Sequence, residues 1–208
     1  MKLQIAMDMT SVEQYWSVLE KVHDLVDIIE IGNIGMYEGA RLIPMTRAKY
    51  PENEILWDQK VQFLYSNIPA IDLGADYVSV DANAPDSYFQ AHLEYGHKKG
   101  CKIVGDMITE TAGSALMIRL EELGVDQISF HPNAHHDRYP MGEVKQMQCA
   151  RTVVEHTEIC AYGGFTLENI RPVLELKPEV VCVGAGIWAA EDPRAATLAF
   201  LDLMKQYE

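Results

Sequence analysis

"LGADYVSV", Leu73 to Val80, and "LGVDQISF", Leu123 to Phe130, are near copies of one another. Each carries a leucine and a helix-stopping glycine into an aspartate and then a short β-rich run, as where a helix returns to a buried strand. Working outward, the same kind of run recurs along the whole chain: "LQIAMDM", "VDIIEIG", "EILWDQK", "DYVSVDA", "CKIVGDMI", "QISFHPN", "EICAYGG" and "VVCVGAG". Longer amphipathic stretches separate them, with helix signals at their starts. Ser11 offers an N-cap with Gln14 three residues on, Thr166 precedes "LENIRPVLEL", and Asp192-Pro193 opens the last helix.

Dividing 208 residues by 8 runs gives 26 per unit, enough for one strand, one helix and two short loops. Strands alternating with helices pair in parallel through right-handed crossovers, and strands apolar at nearly every position are covered on both faces. An open doubly wound sheet would carry GxGxxG after its first strand, whereas "AMDMTS" stands here. The expected fold is α/β, a single (β/α)8 TIM barrel over residues 1–208, with no Pro/Gly/Ser linker to divide it.

With 31 acidic against 17 basic side chains the formal charge is −14, which repels phosphodiester backbones and anionic lipid surfaces. No nucleic-acid or membrane partner is expected. The longest low-polarity run, "VVCVGAGIWAA", is 11 residues and too short to cross a bilayer, and the segment before Asp8 is too brief for a signal-peptide core. Cys101, Cys149, Cys160 and Cys182 show no CxxC pairing, which points to reduced core thiols and a cytoplasmic protein.

In a barrel the chemistry gathers at the C-terminal ends of the strands. Asp8 ends the first run, Glu30 the second, Asp58 and Lys60 the third, Asp106 the fifth and His131 the sixth. In an extended strand residues i and i+2 share a face, so Asp58 and Lys60 are expected to project together. Converging like charges need a cation, and an oxygen-rich ligand set points to Mg²⁺ before Zn²⁺. The glycines ending the last two runs, Gly163 and Gly164, Gly184 and Gly186, would let a phosphate reach bare backbone N–H groups. His131 is the candidate for acid–base work, while His135 and His136, being adjacent, point apart and read as a solvated loop.

These residues together resemble the orotidine-monophosphate decarboxylase superfamily, in the branch of 3-hexulose-6-phosphate synthase and 3-keto-L-gulonate-6-phosphate decarboxylase. The resemblance rests on Asp8, "DIIEIG" from Asp27 to Gly32, the D-x-K core of Asp58 and Lys60, His131 and the paired glycines, and it covers nearly the whole chain. It implies a ribulose-phosphate-binding barrel that works as a homodimer, with Mg²⁺ held by Glu30 and Asp58. It further implies a 1,2-enediolate stabilised by the metal and Lys60, substrate hydroxyls bound by Asp8, and proton movement aided by His131.

The family pattern is D-x-K-x-x-D, and its last acid, which in relatives reaches the dimer-related site, is Phe63 here. Asn33 stands where the family has Thr. Asp106, Ala134 and Ala185 stand where decarboxylases tend to carry Glu, Arg and Arg, which favours the synthases; Tyr162 fits neither pattern. The expected substrate contacts are Asp8, Asn33, Asp106, Gly163, Gly164, Gly184 and Ala185, and the expected reaction is the aldol addition of formaldehyde to ribulose 5-phosphate. The alternatives are decarboxylation of 3-keto-L-gulonate 6-phosphate, or a sugar-phosphate binder that lost turnover with the acid replaced by Phe63.

Overall fold

The computed structural model describes residues 1–107, 113–130 and 141–207, with the side chains of 141–143 excepted. All eight apolar runs form strands: β1 Lys2–Ala6, β2 Ile28–Ile31, β3 Glu54–Val61, β4 Tyr77–Asp81, β5 Lys102–Met107, β6 Gln127–Phe130, β7 Glu158–Ala161 and β8 Val180–Val183. They pair in parallel in sequence order, and β8 closes on β1, giving the expected (β/α)8 TIM barrel.

Alternation along each strand sorts the side chains into two compartments. Outward-facing Ile5, Ile29, Ile55, Val78, Ile103, Ile128, Ile159 and Val181 pack with the helices in one continuous apolar shell. Inside the barrel, Ile28, Leu56, Tyr77, Val104, Cys160 and Cys182 form a second, smaller cluster. Above it the interior turns polar, with Glu30, Asp58, Ser79, Asp106 and Ser129 buried.

The helix signals are mostly fulfilled. Ser11 Oγ accepts the N–H of Gln14 at the start of the helix Val12–Val22, and Asp192 accepts from Arg194 and Ala195 at the start of Pro193–Met204. Thr166 instead belongs to a turn, accepting from the N–H of Glu168, and the helix begins only at Arg171, spanning Arg171–Leu174. Pro172 stands at the first turn of that helix, where its missing N–H costs nothing.

The two opening stretches behave alike. Gly74 and Gly124 have φ of +91° and +79°, the left-handed conformation that ends a helix at low cost. The aspartates that follow reach sideways: Asp76 accepts the N–H of Ile55 at 2.7 Å, and Asp126 that of Ile103 at 2.7 Å. Asp27 does the same to Leu3 at 2.8 Å and Glu179 to Ile159 at 2.8 Å. Each latch joins an odd-numbered strand to the even-numbered strand after it, at the end of the barrel away from the acids. Among the described residues no helix is long and apolar enough to cross a membrane, and all four cysteines are free thiols.

Candidate active site

The third strand decides the geometry of the mouth. Trp57 pairs with Val78 and Val61 with Val80, so four residues of advance along β3 match two along β4, a bulge that contains Asp58, Gln59 and Lys60. Lys60 sits in it with φ of +51°, a conformation rare for a residue with a side chain. The expected extended arrangement is therefore corrected at Lys60, although the pairing it predicted exists: the Lys60 ammonium is ion-paired with Asp58. The intervening Gln59 turns away and donates to the carbonyl of Gly32 at 3.0 Å, fastening β3 to the end of β2.

Asp106 of β5 lies on the other side of the lysine, with 3.6 Å from Lys60 Nζ to its carboxylate. Burial alone would favour the neutral amine, but Asp58, Asp106 and Glu30 outweigh it and raise the lysine pKa, so Lys60 is a fixed cation. Glu30 is 1 % exposed. Burial, then the charges of Asp58 and Asp8, push its carboxyl well above the usual range. One of its oxygens, Oε2, accepts from Gln4 Nε2 at 2.6 Å and from the Cys182 thiol at 3.2 Å.

Asp8 accepts the backbone N–H of Asn33 at 3.0 Å. Between Asp8 and Glu30 lies Gly32, where a Cβ would stand 2.4 Å from Asp8 Oδ1 and 3.4 Å from Glu30 Oε1. A side chain at this position would push against the Asp8 carboxylate. Asp8 and Asn33 are exposed at the rim.

The glycine turns complete the rim. A Cβ on Gly184 would lie 3.6 Å from Ala6 at the end of β1, placing this turn beside the strand that leads to Asp8. A Cβ on Gly186 would lie 2.4 Å from the carbonyl oxygen of Phe165, so the turns after β7 and β8 pack backbone against backbone. Gly164 and Ala185 are exposed and Gly163 and Gly184 partly so, which leaves this backbone open to a ligand.

His131, Ala134 and the loop with His135 and His136 lie outside the described residues. Phe63 is 57 % exposed, with its ring 5.2 Å from that of Tyr88. Asp81 of β4 is engaged with Gln62 at 3.0 Å and with the N–H of Asn83 at 2.9 Å. Within the chain, Asp106 is the second acid on Lys60.

The part that Gln4, Ser79, Tyr162 and Cys182 play inside the site escaped the sequence reading, which noted Tyr162 only as fitting neither pattern and Cys182 only as a core thiol. Gln4 Nε2 also donates to the Tyr162 hydroxyl at 2.6 Å, so Tyr162 belongs to the floor of the site rather than its rim. The available signal was a glutamine inside the apolar run "LQIAM", since a buried amide in a strand requires partners.

The family model described as orotidine 5′-phosphate decarboxylase / HUMPS matches residues 1–200. The chain belongs to this family. It is 30% identical, over 99% of both chains, to a protein named 3-hexulose-6-phosphate synthase 3 from Staphylococcus saprophyticus. A crystal structure of 3-hexulose-6-phosphate synthase from Salmonella typhimurium superposes with a TM-score of 0.92 at 29% identity, covering 100% of each chain. At 20% identity, 3-keto-L-gulonate-6-phosphate decarboxylase from Vibrio cholerae shares the fold, with a TM-score of 0.84 over 100% of this chain and 98% of that one.

Proposed function

We propose that this protein is a Mg²⁺-dependent carbon–carbon lyase acting on a phosphorylated ketose, working as a 3-hexulose-6-phosphate synthase that joins formaldehyde to ribulose 5-phosphate. The observation that carries the reading is the Lys60 ammonium clamped between Asp58 and Asp106 beside buried Glu30. Removing a proton from C1 of the ketose leaves one negative charge, carried mainly by the C2 oxygen of the enediolate that forms. A fixed cation already in place stabilises that charge without reorganisation. The new bond forms from C1 to the formaldehyde carbon, and the resulting alkoxide takes up a proton; His131 is proposed to move these protons.

Glu30 and Asp58 would hold the metal. Mg²⁺ is commonly held by one or two carboxylates while keeping several waters, and among the described residues no group of three or more His, Cys, Asp or Glu is placed to hold a metal by itself. The donor set fits: Gln4 and Cys182 occupy Glu30 Oε2, while Oε1 lies toward Gly32 and Asp8. Bound there, Mg²⁺ would supply Lewis-acid stabilisation of the same developing charge. Asp8 and Asn33 bind the sugar hydroxyls, and the backbone of Gly163, Gly164, Gly184 and Ala185 takes the phosphate.

A homodimer and a cytoplasmic location are part of the reading. The dimer is supported by a flank of exposed apolar side chains around the ends of β2 and β3, with Met36, Tyr37, Phe63 and Tyr65 between 57 % and 85 % exposed.

The deciding experiment is to incubate the protein and Mg²⁺ with ribulose 5-phosphate and formaldehyde, and separately with 3-keto-L-gulonate 6-phosphate. Hexulose phosphate in the first supports the synthase, and CO₂ release only in the second favours the decarboxylase. Binding without product in either favours the turnover-deficient binder suggested by Phe63. The phosphate assignment has its own test. Gly186→Ala forces its Cβ against the Phe165 carbonyl and separates the two turns, and is expected to raise KM for the sugar phosphate about tenfold with a smaller change in kcat, as for a lost charged hydrogen bond.

A further inference from the structure

We propose that Ser79 is the positioning residue for Lys60, setting where the lysine presents its ammonium. The inference rests on Lys60 being catalytic, and begins from the bulge in β3. Lys60 holds a φ of +51° that its own side chain disfavours, so something in the surroundings must specify it. Its amide has no ladder partner on β4, because the pairing jumps from Val78 to Val80. Ser79 fills the gap: its Oγ accepts the Lys60 N–H at 2.8 Å, a side chain replacing the missing strand carbonyl.

Ser79 is itself held from behind. It is 1 % exposed, and its carbonyl accepts from Asn67 Nδ2 at 3.1 Å. Asn67, on the helix Leu64–Asp72, is fully buried and also lies 3.2 Å from His92 Nε2, whose ring is tied through Nδ1 to the carbonyl of Tyr88 at 2.8 Å. A polar chain thus runs from the outer helices through Ser79 to the lysine backbone. Rotation of the Lys60 backbone would swing a long side chain, carrying Nζ away from Asp106, which it meets at 3.6 Å. A group that acts on charge developing in the transition state tolerates such displacement poorly, while ground-state binding of the sugar phosphate depends on other residues.

Ser79→Ala is expected to lower kcat about 10- to 30-fold with KM changed by less than about threefold, the pattern of an interaction felt mainly in the transition state. Should that variant fail to fold, Ser79→Thr and Ser79→Val decide, since they match in shape and differ in the hydroxyl. Turnover about tenfold higher in Ser79→Thr than in Ser79→Val supports the proposal. Equal turnover in the pair overturns it, as does an unchanged kcat in folded Ser79→Ala accompanied only by a lower Tm. A wild type inactive on both sugar phosphates would overturn the functional reading instead. Crystal structures of Ser79→Thr and Ser79→Val then judge the inference alone: Lys60 must leave the left-handed conformation and Asp106 only in Ser79→Val, and an unmoved lysine in both rejects it.

Discussion

Lys60→Met is expected to reduce kcat/KM by about three orders of magnitude, at or above the cost of deleting one preorganised stabiliser of developing negative charge. The reason is local. Asp58 and Asp106 flank the ammonium and Glu30 feels it, so the substitution removes a cation and leaves acids in its place. Lys60→Arg should not restore the rate, because a planar guanidinium cannot occupy the point-like position between two carboxylates. Stability changes with a defined sign. Burial, Asp58 and Asp8 hold the folded pKa of Glu30 above its unfolded value, with Lys60 opposing them. A raised carboxyl pKa favours the folded state at low pH and penalises it as pH rises through the shifted range, so Lys60→Met should lose more Tm at pH 8 than at pH 6. Parallel melts of wild type and variant check this, and a variant with near-normal kcat/KM would remove Lys60 from the mechanism.

Glu30→Gln should have the opposite balance of effects. Activity and metal binding are expected to fall by at least about 100-fold, since a neutral amide replaces an anionic ligand. The metal-free protein should become more stable, by about 1 kcal/mol or ~2–4 °C in Tm for a chain of this size, because a buried carboxyl no longer has to ionise at neutral pH. The amide oxygen can still accept from Gln4 and Cys182, so the packing below the site is kept. Mn²⁺ binding followed by electron paramagnetic resonance separates the two effects. In the wild type, affinity should rise with pH, because the metal competes with the proton that burial holds on Glu30. Undiminished Mn²⁺ affinity in Glu30→Gln would remove Glu30 from the ligand set.

The barrel was legible because its strands are apolar at nearly every position and its helix returns carry glycine and aspartate in fixed order. Asp8, Glu30, Asp58, Lys60 and Asp106 were legible because charged residues end runs that are otherwise apolar. What escaped was three-dimensional pairing. The β3 bulge leaves no mark in "WDQKV", since a positive φ at lysine is imposed by Ser79 from the neighbouring strand rather than by local propensity. Likewise Gln4, Tyr162 and Cys182 meet where β8 and β7 come round to β1, from positions up to 178 apart, and no periodicity reports such a contact. The helix start expected at Thr166 falls instead at Arg171, because the threonine hydroxyl is spent on the N–H of Glu168 in the turn before it.

The four carboxylate latches divide the molecule in a way the count of eight does not. Asp27, Asp76, Asp126 and Glu179 each bind the strand before their own and leave the next junction unlatched. The modular unit is therefore a two-strand quarter, recurring at spacings of 49, 50 and 53 residues along the chain. New termini opened between quarters keep both partners of every latch close along the chain, whereas a cut inside a quarter moves them to opposite ends of it. Circular permutation and the exchange of quarters with relatives thus have natural seams, well removed from the rim that carries the chemistry.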